Sequence, residues 1–343
     1  MTGEVLRRLL DRRALSPAEA RTVFDQLLAP ETTDPERAGL LVALASRRTD
    51  VGELTAFARE LRRRATPFEV PSGDRPIDLC GSGGAPTPSF NVSTVSAFVV
   101  AAAGVPVVKH GNRSATGVCG SSDLLEALGL PVTTSMEFAR ASYRSRRLAF
   151  LHAPLYHPAT KAVVAARRAL GIATVFNRLG PLSNPASVRY QLAGAPSRPL
   201  ARTFAEVLHR LGVARGATMS SEDGCDEFSP RARTAVYSWD GAHHRNLLTR
   251  PERHLLRDER TGSWAPLPPA RAAAEAGRVL RGGGGARRGA VLLTSGTALW
   301  LTRRAGSIAD GVEHARVTVD DGRAAELLAE LQGLAAQFRG AAA

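Results

Sequence analysis

Two carboxylates stand side by side in Glu222-Asp223-Gly224-Cys225-Asp226-Glu227, directly after an apolar run, Ala217–Ser220, that reads as a strand. Adjacent oxygen ligands in a glycine-containing turn suit Mg²⁺, which takes one or two carboxylates and completes its shell with waters and phosphates. Alone, such a string is more often a solvated acidic surface; its place after a strand favours the metal reading. A second stretch, Lys109-His110-Gly111-Asn112-Arg113-Ser114, follows the apolar run Val105–Val108 and leads through Gly120-Ser121-Ser122-Asp123 into a helix at Leu124–Leu128. It gathers cations, an amide, hydroxyls and glycine, the mixture that suits phosphates and a sugar. Only two lysines, Lys109 and Lys161, occur among 45 basic residues. Lysine at 109 therefore points to a need for a compact point charge rather than a planar fork. His110 could serve as a base, but a lone histidine reads first as a hydrogen-bonding spacer.

A third stretch, Gly81-Ser82-Gly83-Gly84-Ala85, follows the strand candidate Ile77–Cys80, and Phe90-Asn91-Val92-Ser93-Thr94 then opens a helix. Glycines let a bulky anion approach the backbone, and a helix N-terminus offers N–H groups to the same anion. The loop matches neither the dinucleotide fingerprint nor a Walker loop, which disfavours nicotinamide and ATP. A fourth stretch is a helix over Pro158–Leu170 followed by Thr174–Asn177 and Gly180-Pro181-Leu182-Ser183-Asn184-Pro185. Arg167 and Arg168 close that helix, a favourable place for cations whatever the function.

The elements that must position these residues fall into two groups. Residues 1–70 predict a small helical domain. Ser16-Pro17-Ala18-Glu19 is a capping box ahead of Val23, Phe24, Leu27 and Leu28; Asp34-Pro35-Glu36 and Asp50 with Glu53 open two further helices. Pro67, Pro71, Ser72 and Gly73 form a linker. From 74 onward short apolar runs alternate with helices, with strands expected at Leu148–His152, Tyr190–Gly194, Ala217–Ser220 and Val236–Trp239. That alternation indicates an α/β domain with a mainly parallel central sheet, in which ligands bind at the carboxyl ends of strands. Arg281–Gly289 reads as a flexible surface loop.

With 343 residues the chain exceeds a single core. No apolar run is long enough to span a membrane, and no signal peptide is expected at the N-terminus. Three scattered cysteines argue against a disulfide framework and for a reducing, cytoplasmic setting. The net charge of +13 would attract a polyanion. Its arginines are dispersed rather than gathered in a tract, so composition bias explains the charge better than nucleic-acid binding. No Cys/His spacing suggests zinc.

Taken in order, these motifs resemble the anthranilate phosphoribosyltransferases of tryptophan biosynthesis. The matching stretches are DLCGSGGAPTPSFNVST (78–94), VPVVKHGNRSATGVCGSSDLLEALG (105–129), FLHAPLYHPATKAVVAARRALGIATVFNRLGPLSNPA (150–186) and EDGCDEFSP (222–230). The resemblance implies a nucleoside phosphorylase/phosphoribosyltransferase-like fold. In it a small helical domain (1–70, joined by helices from about 156–182) carries a homodimer contact. A large α/β domain (74–155 and 183–340) binds the phosphoribosyl group. It implies that Gly81, Gly84, Ala85, Ser89, Asn91, Val92, Ser93 and Thr94 cradle 5-phosphoribosyl 1-pyrophosphate. Lys109, His110, Gly111, Asn112, Arg113, Ser114, Ala115, Thr116, Gly117 and Ser121 would close over the same substrate. Ser93, Asp226 and Glu227 would hold Mg²⁺, two ions in all; Lys109, Asp226 and Glu227 would be catalytic. Gly81, Asn112 and Arg167 would contact anthranilate.

The chain departs from the family pattern at Ala85 (commonly aspartate), Val118 (commonly lysine), Ser220-Ser221 (commonly His-Gly) and Thr294-Ser295-Gly296 (commonly Asn-Ala-Ala). The alternatives are transfer to another arylamine and a degenerate relative that binds nucleic acid.

Overall fold

The computed structural model describes residues 2–11, 14–47, 50–82, 87, 89–114 and 118–339. Four helices come first: α1 (Thr2–Leu10), α2 (Pro17–Leu28), α3 (Asp34–Ala45) and α4 (Val51–Arg63). Local chemistry starts each of the last three. Ser16 Oγ accepts from Glu19 N at 3.3 Å while the Glu19 carboxylate accepts from Ser16 N at 2.8 Å, the reciprocal cap expected. Asp50 caps α4 by accepting from Gly52 N at 2.6 Å. Glu53 does not cap in return. Its buried carboxylate accepts from Leu15 N at 2.5 Å and pairs with Arg47, tying the α1–α2 and α3–α4 connections together. The apolar stripe of α2 is buried, with the Phe24 ring 5.6 Å from Phe57 and 5.9 Å from Phe176.

The rest of the chain runs β1 (Ile77–Cys80), α5 (Val92–Ala102), β2 (Val107–Gly111), α6 (Ser121–Ala127), α7 (Met136–Arg146), β3 (Leu148–His152), α8 (Ala153–Tyr156), α9 (Val164–Leu170), α10 (Val175–Leu179), β4 (Tyr190–Gly194), α11 (Arg198–Arg210), β5 (Arg215–Ser221), β6 (Thr234–Asp240), β7 (His243–Thr249), α12 (Pro269–Leu280), α13 (Ala286–Leu301), α14 (Ile308–Asp320) and α15 (Arg323–Arg339). The strands form one sheet in the order β3-β2-β1-β4-β5-β6-β7. Pairing is parallel from β3 to β5 and antiparallel across β5-β6-β7.

From β1 the chain winds one way to β2 and β3, then restarts beside β1 at β4. The crevice at the carboxyl ends of these strands is where such a switch leaves room for a ligand. One face of the sheet packs on α5 and α12–α15 through Phe98, Leu192, Leu292 and Val312. The other packs on α11, and its core is continuous with that of α1–α4, α9 and α10, from Phe24 through Phe176 to Phe204 and Trp239.

Three elements differ from the sequence reading. Strand β2 begins later than expected and runs through Gly111, because Lys109, His110 and Gly111 continue the parallel ladder against Phe150, Leu151 and His152. Lys109 and His110 thus belong to a strand end, not to a loop. The expected Pro158–Leu170 helix is a 3₁₀ turn, Pro158–Val163, that passes into α9. Gly282–Gly285 make a turn, but Ala286–Gly289 already belong to the buried helix α13. Helix α1 falls within the first seventy residues read as helical, though no cap singled it out, and edge strand β7 was not anticipated.

Candidate active site

The carboxyl ends of β1, β2 and β5 converge on one cavity of about 270 Å³. Strand β5 delivers the acidic turn. Gly194, at the end of the neighbouring β4, lets it come close: a Cβ there would lie 1.6 Å from the Asp226 carbonyl oxygen. At the end of β1, Ser82 donates from both its backbone N and its Oγ to Asp226 Oδ2, each at 2.6 Å. A Cβ on Gly81 would stand 3.0 Å from the same oxygen and 3.3 Å from Glu227 Oε1. The N-terminus of α5 completes the contact, with Ser93 N donating to Glu227 Oε1 at 3.3 Å.

Lys109 comes from β2 and is 3% exposed. Its ammonium donates to the Leu79 carbonyl at 2.5 Å and to Ser93 Oγ at 3.3 Å, which places a buried cation beside the start of α5. Glu227 is also buried, and its Oε2 has no hydrogen-bond partner among the described residues. Burial, and then the neighbouring Asp226 charge, push its carboxyl up to about 7, while Lys109 and Ser93 oppose the rise. Two adjacent carboxylates with a spare buried oxygen form a hard-oxygen donor set, incomplete by itself. It fits Mg²⁺ that draws its other ligands from water and substrate phosphate. Among the described residues no group of three His, Cys, Asp or Glu is arranged for a metal, so zinc-type ligation is not offered there.

The segment after β2 is organised by Asp123, whose Oδ2 accepts from Gly120 N at 2.8 Å and Ser114 N at 3.0 Å. Arg113 is held by Asp123 and Glu126 at 2.9 and 2.6 Å. Ser121 Oγ bridges the Asn112 backbone, 3.1 Å from its N and from its O. Asn91 Nδ2 donates to the Cys119 carbonyl at 3.0 Å, linking the first loop to the second. His110 donates from its backbone N to buried Asp78 at 3.2 Å, and its ring lies 5.0 Å from that of His157. Burial and the facing His157 hold the His110 imidazole well below its ordinary value.

The cavity lining brings together Gly81, Ser89, Asn91, Ser93, Thr94, Lys109, His110, Gly111, Asn112, Arg113, Ser114, Ser121, Asp226 and Glu227. Val92 is buried in the apolar core beside it. Gly84, Ala85, Ala115, Thr116 and Gly117 lie outside the described residues. Arg167 is not part of this lining. Its guanidinium lies 5.5 Å over the Phe176 ring and donates to Asn177 Oδ1 at 3.4 Å, while its Nε is buried without a partner among the described residues. Sequence reasoning had not placed Ala153, Gly180, Pro181 or Pro266 in the site, though all four line it. Small apolar residues carry no chemical signal, and only the fold brings them to the crevice.

Comparison with known proteins defines the class first. The glycosyl transferase family, a/b domain, matches residues 73–325, and the glycosyl transferase family, helical bundle domain, matches residues 3–65. The chain is 39% identical over 333 residues to the anthranilate phosphoribosyltransferase of Desulfitobacterium hafniense, covering 95% of this chain and 97% of that one. It is 40% identical over 317 residues to anthranilate phosphoribosyltransferase 2 of Streptomyces coelicolor, covering 92% and 94%. The crystal structure of the Thermus thermophilus anthranilate phosphoribosyltransferase superposes with a TM-score of 0.87 at 35% identity, covering 96% of this chain and 99% of that one. The Saccharomyces cerevisiae enzyme, solved in complex with PRPP and Mg, shares the fold with a TM-score of 0.85 at 22% identity, covering 98% of each. The chain belongs to the anthranilate phosphoribosyltransferase family.

Proposed function

We propose that the chain transfers the phosphoribosyl group of 5-phosphoribosyl 1-pyrophosphate to the amine of anthranilate, a step of tryptophan biosynthesis. The products are N-(5-phosphoribosyl)anthranilate and pyrophosphate. One observation carries the reading. A buried lysine, a helix N-terminus and a carboxylate pair with an unpartnered oxygen face a single cavity at the strand ends. That combination suits a polyphosphorylated sugar and its divalent cation.

In the transfer, the bond from the anomeric carbon to pyrophosphate breaks and its electron pair leaves with the pyrophosphate. The amine lone pair forms the new C–N bond, and the surplus amine proton passes to solvent. An arylamine already exposes its lone pair, so catalysis rests on positioning and on electrostatic stabilisation of the leaving group. Lys109 and the N–H groups at the start of α5 face the departing charge. Ser93, Asp226 and Glu227 would hold Mg²⁺, two ions in all. When bound, the metal supplies positive charge to the phosphate oxygens. Gly81 and Asn112 contact anthranilate; Arg167 stands outside the cavity lining, and a shift of its guanidinium off Phe176 would bring its unpartnered Nε to the anthranilate carboxylate.

Residues 1–70 with about 156–182 form a small helical domain, and 74–155 with 183–340 the large one. Exposed Leu10, Val42, Val164 and Ile172 lie on α1, α3, α9 and the turn after α9, elements that pack side by side, and this apolar surface supports a homodimer through the helical domain. Among the described residues no helix is long and apolar enough to cross a membrane, and all three cysteines are free. Both fit a cytoplasmic enzyme.

The test is loss of anthranilate fluorescence with protein, Mg²⁺ and both substrates, with chelated and donor-free controls. Folded protein that leaves the signal unchanged while consuming another aminobenzoate reassigns the acceptor. Folded protein that consumes none refutes the transfer.

A further inference from the structure

Gly180 and Pro181 supply part of the cavity's uncharged lining, in a 3₁₀ turn, Gly180–Leu182. Three consecutive carbonyls of that turn are each met by a side chain from a different element, His110 and Gln191 buried and Arg62 half-buried. The Gly180 carbonyl meets His110 Nδ1, from β2, at 3.4 Å. The Pro181 carbonyl accepts from Gln191 Nε2, from β4, at 2.5 Å. The Leu182 carbonyl accepts from Arg62 Nε, in the last turn of α4, at 2.7 Å. Buried Asp78 ties the clamps together: it accepts from His110 N at 3.2 Å and from Gln191 Nε2 at 3.4 Å, and its charge faces Arg62. Arg62 and Gln191 do not line the cavity.

The Gly180 carbonyl also accepts locally, from Ser183 N at 3.4 Å and Ser183 Oγ at 3.3 Å, whereas the Pro181 and Leu182 carbonyls take the partners a buried carbonyl demands from other elements. Had the turn faced water, any position would have served. Here its position is dictated by three donors of fixed reach, one of them rooted in the helical bundle. Arginine suits the long span, because its Nε–H lies at a set distance along the planar guanidinium.

We propose that Arg62 and Gln191 are positioning residues for acceptor recognition: they hold the Gly180–Pro181 wall where the flat ring of the arylamine packs, without touching it. The proposal rests on the transfer to an arylamine described above. Small displacements of a packed wall alter ring recognition, because a close-packed surface discriminates by shape.

The test compares Arg62→Lys and Gln191→Met with the unmodified enzyme, using anthranilate and a ring-methylated anthranilate as acceptors. In both variants the KM for anthranilate rises about tenfold or more, while the KM for the sugar donor stays within twofold. The kcat/KM ratio between the two acceptors shifts at least fivefold toward the methylated one. A loss of apparent affinity shared equally by donor and acceptor overturns the proposal, as does an unchanged acceptor ratio. Loss of folded protein in Arg62→Lys, read by thermal unfolding, overturns it too, since the residue would then be structural. An unmodified enzyme that turns over neither acceptor refutes the proposed transfer instead, before any variant is compared.

Discussion

His157 makes stability in acid a direct readout of how the cavity's rear wall is built. The residue is 3% exposed, both ring nitrogens lack well-formed hydrogen bonds among the described residues, and the His110 ring lies 5.0 Å away. Burial lowers its imidazole from 6.5 to about 4; backbone groups of Ser183 and Leu61 offset this in part, and the Arg62 charge adds to it. Between those values the unfolded chain binds a proton that the folded chain refuses, so stability is fully present above pH 6.5 and falls as the pH drops toward 4. The gap corresponds to about 3 kcal/mol in full, of which about 2 kcal/mol is lost by pH 5. Urea unfolding from pH 5 to 8 measures it, comparing the protein with His157→Gln. The remaining histidines titrate in both, so the difference between the two curves reports this ring together with its effect on the facing His110. The unmodified protein should lose about 2 kcal/mol more than the variant between pH 8 and pH 5. Parallel curves would refute the reasoning, and so would a histidine signal at this position that titrates near 6.5 by NMR.

Three further perturbations probe the rest of the site. Asp226→Asn combined with Glu227→Gln should reduce turnover by about a hundredfold or more with the fold retained; an unaltered Mg²⁺ dependence would remove the metal assignment. Gly194→Ala would drive a methyl group into the Asp226 carbonyl, 1.6 Å from the new Cβ. The acidic turn must then shift, costing about 2 kcal/mol or more in thermal unfolding along with activity, and an unchanged melting temperature would mean the backbone gives more easily than packed strands should. Arg167→Ala should raise the KM for anthranilate by a factor corresponding to ~1.5–3 kcal/mol of charge-assisted hydrogen bonding. A change confined to the donor's KM would show that this arginine had been given the wrong substrate.

The site was legible where residue type and spacing carry chemistry. Lysine in an arginine-rich chain, paired acids after an apolar run and glycines ahead of a helix each announce a charge or a close approach. Strands β1, β3 and β4 were readable to the residue, since short apolar runs bounded by turn residues have few other uses. Strand β2 was misjudged at its end for an instructive reason. Lys109 and His110 look like loop residues, yet their ladder with Phe150 and Leu151 outweighs their polarity, and burial of Lys109 is made tolerable by the Leu79 carbonyl and Ser93 hydroxyl. The long-range role of Glu53 escaped for a similar cause. A capping position three residues after Asp50 looks local, whereas its partners Leu15 and Arg47 come from other connections.

Sequence alone determined the alternation of strands and helices, the caps that start the bundle helices and the chemical identity of the cation, the acids and the anion cradle, because each depends on neighbours within a few positions. Only the tertiary structure decided that Lys109, Ser93 and Glu227 meet in one buried cavity, that Arg167 stands on Phe176 outside its lining, and that Arg62 and Gln191 grip the Gly180–Leu182 turn. These contacts join residues from about ten to 134 positions apart in the chain, beyond the reach of one helix turn or strand pair, and they are set by where the sheet reverses its winding and by which faces it buries.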